Sequence, residues 1–158
     1  MVLFSFPAQV NERAARLVAA GVAVSLAAAI ALHTSWLVPV VAGGFLLRVG
    51  WGPAVSPLAR AAVWLAARLG PPRPVFGRPK RFAQGIGAAF TLAASALLLA
   101  GHPVAGWALA GVVVVCAFLE AAFAFCLGCL AYRWLQAAGL LPPDACVDCA
   151  RPSAAAPR

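Results

Sequence analysis

Charge is what this chain has least of. Charged residues make up 10% of its 158 positions, against about 25% in an ordinary soluble domain. Hydrophobic residues make up 64%, and the mean hydropathy is +0.94. So few charges cannot cover the apolar surface of a water-soluble fold, so the bilayer is the expected solvent. Only four residues are acidic, and no pair of catalytic carboxylates can be assembled from their positions. A Ser-His-Asp set, a phosphate-binding glycine loop and a haem attachment motif are also absent, which disfavours hydrolase and nucleotide-driven functions. Tyrosine is scarce, one against nine Phe and five Trp, a balance that suits spans with Trp at the interfaces. Basic residues are the exception, giving a net charge of +8 and a pI near 10.7. They sit between apolar runs rather than along one polar face, so the expectation is no nucleic acid partner.

A spanning helix needs ~20 mostly apolar residues. The runs predict an all-α integral membrane fold of four transmembrane helices in two hairpins, over about 17–33, 34–51, 82–100 and 104–129, the last continuing as one helix to about 138. These form a transmembrane domain over 1–139, followed by a flexible tail over 140–158. The second run is short. It spans only if its helix runs from about Thr34 to Trp51, with Arg48 snorkelling to the head groups. Arg13 and Arg16 before an Ala-rich run resemble a signal peptide, but the polar lead-in is long and carries Glu12, so the run is read as a retained span.

The basic residues set the expected orientation. Arg48, Arg60, Arg68, Arg73, Arg78, Lys80 and Arg81 lie at or between the second and third spans. Arg13 and Arg16 precede the first span, and Arg133, Arg151 and Arg158 follow the fourth. The turns at His33 and His102 carry none. The positive-inside rule then places both termini and the central loop in the cytoplasm. Trp36 and Trp107 fall at the outer boundary, and Trp51, Trp64 and Trp134 at the inner one.

Within the central loop, Ser56-Pro57-Leu58 carries helix start signals and Leu69-Gly70-Pro71-Pro72 carries stop signals. Arg60, Trp64 and Arg68 share one face, while Leu58, Ala62, Leu65 and Leu69 lie off it, as in a short amphipathic interfacial helix. A weak internal repeat is also visible. Arg16, His33 and Trp36 in the first half answer Arg81, His102 and Trp107 in the second.

The five cysteines carry the most chemistry. Cys116 stands alone in the fourth span and is read as core packing. Cys126 and Cys129 form one C-x-x-C at that span's inner end. Cys146 and Cys149 form a second one in the tail, which can fold back toward the first. Two such pairs separated by 16 residues also match a zinc-type spacing. A permanent disulfide is not expected in a reducing compartment. Three readings stand open: a four-thiolate metal site, two dithiols exchanging electrons or sulfur, and cysteines with no task. On one continuous helix, Cys126, Cys129 and Arg133 would share a stripe, and Arg133 would favour the thiolates. Two thiols on consecutive turns of a rigid helix are an awkward half of a tetrahedral zinc site, which favours redox.

Glu120 is the one acidic residue inside a span. Intramembrane carboxylates are costly and are usually paired or functional, and Arg48, at similar depth, is the expected partner. His33 and His102 are read as interfacial turn residues.

Taken together, Asn11-Glu12 with Arg16, Gly52-Pro53 with Ser56-Pro57-Leu58, Pro79-Lys80-Arg81-Phe82-Ala83-Gln84, Leu119-Glu120-Ala121 and Phe125-Cys126-Leu127-Gly128-Cys129 with Tyr132 form a pattern. With the closing Cys146 and Cys149, it resembles the bacterial membrane proteins grouped as domain of unknown function 4395, over nearly the whole chain. In that pattern a Gly usually stands where this chain has Ala124, a departure expected to affect only how closely a neighbouring helix approaches. The resemblance implies association with thioredoxin-like or rhodanese-like sulfur proteins and leans toward sulfur chemistry.

The leading expectation is thiol–disulfide or sulfane-sulfur handling at the cytoplasmic face, coupled to movement of a small sulfur species. It assigns the chemistry to Cys126, Cys129, Cys146, Cys149, Arg133 and Glu120, without a cofactor. The alternative is a non-enzymatic protein binding zinc through the four paired cysteines, or a scaffold docking a cytoplasmic partner.

Overall fold

The computed structural model describes residues 9–141. Among them the chain runs β1 (Gln9–Asn11), α1 (Glu12–Ala31), α2 (Leu37–Trp51), α3 (Pro57–Arg68), β2 (Pro74–Phe76), α4 (Gly77–Leu99), α5 (Pro103–Phe123) and α6 (Leu127–Ala137). Cys146 and Cys149 lie outside the described residues.

Three helices, α1, α4 and α5, are long and apolar enough to cross a bilayer. At 1.5 Å per residue, the 23 residues of α4 extend about 35 Å, the full hydrocarbon thickness. The second expected span differs. Helix α2 begins at Leu37 rather than Thr34, has 15 residues and extends only about 22 Å. Nor does Arg48 snorkel. It is turned inward, with 3% of its surface exposed.

Small side chains let the helices approach. Ala29, Ala88, Ala94, Ala110 and Ala117 are buried with Val22, Leu26, Val38, Phe45 and Val113 in one core. Larger residues such as Val24, Leu99, Val104 and Val115 face outward, the inverse of a soluble protein and the pattern that lipid requires. The most extensive packing is between α1 and α5 and between α2 and α4, across the two halves.

The internal repeat is much clearer in three dimensions than in sequence. Each half is a short strand, two apolar helices and a short amphipathic helix. Helix α3 packs on α1, and α6 packs on α4, in the same way. Strands β1 and β2 pair antiparallel, with Val10 opposite Val75 at the centre, as a local twofold axis demands. Arg16 and Arg81, as far apart in sequence as Val10 and Val75, do equivalent work. Arg16 donates to the carbonyls of Ala121 and Ala122 at the end of α5, both at 3.0 Å. Arg81 donates to Val49 O, at the end of α2, at 2.9 Å. Each satisfies orphan carbonyls at a helix C-terminus, where a cation is also favoured by the helix dipole.

The helix expected in the central loop is present as α3, bounded where the start and stop signals place it. It buries Ala59, Ala62 and Ala66. It leaves Leu58, Leu65 and Leu69 exposed beside Trp64, with the Arg68 guanidinium 4.0 Å from the Trp64 ring centre. At the opposite end of the bundle the two turns meet, His33 packing edge-on against Trp107 at 6.2 Å.

Candidate functional site

The continuous helix expected from 104 to about 138 is broken. Helix α5 ends at Phe123, Ala124 turns left-handed (φ 57°, ψ 21°), and α6 restarts at Leu127. The break is stabilised by bonds from Ala124 N–H to Glu120 O at 3.0 Å and from Phe125 N–H to Leu119 O at 3.2 Å. Position 124, expected to matter only for how closely a neighbouring helix approaches, is instead a backbone site with positive φ, so its importance is conformational.

The break changes the thiol geometry. Cys126 is not on a continuing helix. It is the N-cap of α6, and its Sγ accepts the Cys129 backbone N–H at 3.4 Å. The C-x-x-C therefore wraps the first turn of a helix, where free N–H groups and the dipole favour negative charge. The two sulfurs are not equivalent. A hydrogen bond from the Cys129 thiol holds Cys126 below the ordinary thiol value. That effect prevails over burial and the Glu120 carboxylate, which push upward, and Lys80 assists it. Cys129 is raised, by that same hydrogen bond and by burial.

Glu120 is not paired with Arg48. Its carboxylate takes a very short hydrogen bond from Lys80 Nζ, and both side chains are largely buried. Arg48 instead donates through Nε to Gln84 Oε1 at 2.6 Å and through Nη1 to Ser56 Oγ at 3.3 Å. The reason is placement. Lys80, in the first turn of α4, reaches Glu120 near the end of α5, while Arg48 is taken up by Gln84, one turn further along α4, and by Ser56.

Lys80 and Glu120 flank the thiols. Lys80, Cys126 and Cys129 line a surface cleft with Glu12 and Arg133. Glu120 and Cys126 line a partly open pocket of about 280 Å³ together with Cys116 and Gln84. The cation acting on both sulfurs is Lys80. Arg133 is exposed at the cleft's edge. In the sequence, Lys80 falls among the topology-setting basic residues. Its position at the first turn of α4, one face of which meets α5 and α6, is the signal that could have separated it.

Close approach fixes this arrangement. A Cβ on Gly128 would lie 2.6 Å from the Ala83 Cα, so only glycine lets α6 seat against α4. Phe82 and Tyr132 pack beside that contact, with ring centres 5.4 Å apart. Among the described residues no three His, Cys, Asp or Glu side chains group as metal ligands. A four-thiolate site would draw half its donors from Cys146 and Cys149. With Cys126 in a turn rather than mid-helix, the geometric objection to zinc loses its basis.

No curated protein and no solved structure matches the chain. A family model does match, over residues 10–137, which take in both repeat halves and the thiol site. The chain belongs to the family described as Domain of unknown function (DUF4395).

Proposed function

We propose that this is a four-crossing membrane protein whose Cys126–Cys129 pair performs thiol–disulfide or sulfane-sulfur exchange at the cytoplasmic face. The observation that carries the reading is the inequivalence of the two thiols at the N-terminus of α6. Cys126 has the lowered pKa and the helix-capping position of an attacking thiolate. Cys129 is held protonated beside it as the resolving thiol. In exchange with a disulfide, Cys126 thiolate attacks one sulfur, forms a mixed disulfide and releases the other sulfur as thiolate. Cys129 then loses its proton and attacks Cys126, so the pair ends oxidised and the partner disulfide reduced. The disulfide of Cys146 and Cys149, or that of a thioredoxin-like protein, is the proposed partner. In the sulfur variant, the Cys126 thiolate attacks the outer sulfur of a rhodanese-like protein's cysteine persulfide, becoming a persulfide itself and releasing the donor cysteine as thiolate.

The four-crossing reading is supported by the strand pair. Strands β1 and β2 pair directly before α1 and α4, so both helices start at one face. Helix α1 is long enough to leave that face. Helix α3, 12 residues long and packed on α1, does not carry the chain back. That return falls to α2, short as it is. The basic residues assign the shared face to the cytoplasm, and a bacterial inner membrane is the proposed setting.

The test is the rate of Cys126 alkylation against pH in detergent-purified protein. Cys129→Ala and Lys80→Met should move the midpoint up, since each removes a feature that favours the thiolate, and Glu120→Gln should move it down. Mild oxidation should yield a crosslink between the Cys126/Cys129 and Cys146/Cys149 pairs. Thiols silent until a chelator is added, with stoichiometric zinc, would replace this reading with the four-thiolate site.

A further inference from the structure

We propose that the cavity around Arg48 is a binding site for a small free oxyanion of the sulfate or phosphate type. Arg48 is 97% buried, being 3% exposed, and its two engaged nitrogens reach only neutral groups, Gln84 and Ser56. The Phe45 ring centre lies 4.6 Å from its guanidinium carbon. Its Nη2 is buried and has no hydrogen-bond partner among the described residues. A buried cation without a counter-charge is strongly unfavourable, and its unmade hydrogen bonds add to the cost. The carboxylates among the described residues lie elsewhere. Glu120 is engaged by Lys80, and Glu12 lines the thiol cleft.

The space beside Arg48 has the matching chemistry. Arg48 lines a cavity of about 240 Å³ with Lys80, Gln84, Gln9 and Asn11, and no carboxylate or cysteine lines it. Its polar side chains are two cations, of which Lys80 is already engaged by Glu120, and three carboxamides, set among apolar residues such as Val10, Val18 and Val63; the donors suit an ion with several acceptor oxygens. At about 30 Å³ per water, the cavity has room for one such ion with some of its hydration. None of the thiols lines the site, which shares only Lys80 with the thiol cleft, and Arg48, the residue varied below, lines only the former.

The experiment is equilibrium dialysis of radiolabelled sulfate against the full chain in a neutral detergent, at constant ionic strength with chloride as the balancing anion. The expected result is one saturable class of site, competed by phosphate and not by chloride. Arg48→Lys keeps the charge but loses the fork of donors, and should weaken binding by about 10- to 100-fold. Arg48→Met should abolish binding while unfolding no earlier than wild type in sulfate-free buffer, because it removes an uncompensated buried charge. Should Arg48→Met fail to fold, Arg48→Lys carries the decision. Absence of saturable binding to wild type overturns the proposal, and so does unchanged binding to Arg48→Lys. Thermal stabilisation by phosphatidylglycerol nanodiscs without binding of free sulfate also overturns it, because the occupant is then a lipid headgroup.

Discussion

Ala124 occupies a backbone region that costs an L-residue roughly 1–2 kcal/mol. It holds that conformation because the α5–α6 break needs it. Ala124→Gly should therefore stabilise the protein, by about 1 kcal/mol after glycine's larger unfolded-state entropy is subtracted. Thermal unfolding in detergent measures this, and a lower Tm for the variant would contradict the strained-turn account. Beside the thiols lies a different kind of cost. Lys80 and Glu120 are mutually satisfied but largely buried, with side chains 13% and 19% exposed. Losing one partner strands the other, at about 3–5 kcal/mol. Glu120→Gln should be strongly destabilising, and adding Lys80→Met should restore much of the loss. Arg48→Met should restore none of it, since Arg48 is bonded to Gln84 and Ser56 instead. Additive losses for Glu120→Gln and Lys80→Met in a double-mutant cycle would refute the pairing.

Helices were legible in the sequence to the extent that their signals are local. The start of α3 at Ser56-Pro57 and its stop near Gly70 follow from capping chemistry, and the structure has the helix at Pro57–Arg68. The break after α5 carried no such signal, since Ala124 is a strong helix former and nothing around it reads as a stop. What ends α5 is tertiary. Arg16 takes the Ala121 and Ala122 carbonyls, and α6 is drawn onto α4 through Gly128. The Arg48–Glu120 expectation failed for a related reason. Depth along the membrane can be read from sequence, but which face of a neighbour a helix meets cannot. The α4–α6 contact is directly testable. A side chain at Gly128 would collide with the Ala83 backbone, so Gly128→Val should cost about 1–3 kcal/mol. It should also move Cys126 away from Lys80, raising the alkylation midpoint toward that of Lys80→Met. A variant with wild-type stability and wild-type thiol reactivity would mean that α6 does not depend on this contact.

At the scale of the whole molecule, the two repeat halves share a plan and differ in length. Helix α2 is 15 residues against 21 for its counterpart α5, and α1 is 20 against 23 for α4. Repeats of this kind, with both halves starting at the same face, are related by an axis along the membrane normal. The strand pair ties the starts of α1 and α4 together, and Arg81 ties the end of α2 to that same face. In the four-crossing arrangement proposed above, the shorter first half would fall short at the opposite face, near His33, since α2 would cover only about 22 Å of a hydrocarbon layer about 30 Å thick. Local bilayer thinning can accommodate such a mismatch at modest cost. The expected topology is then even-numbered in spite of the length of α2. Reporter fusions after Pro53 and after Gly139 should both report the cytoplasm, and fusions after His33 and after His102 the opposite side. An extracytoplasmic signal after Pro53 with an extracytoplasmic signal after His33 would mean that α2 fails to cross. The β1–β2 pairing, which requires both halves to begin on one side, would then have to be abandoned along with it.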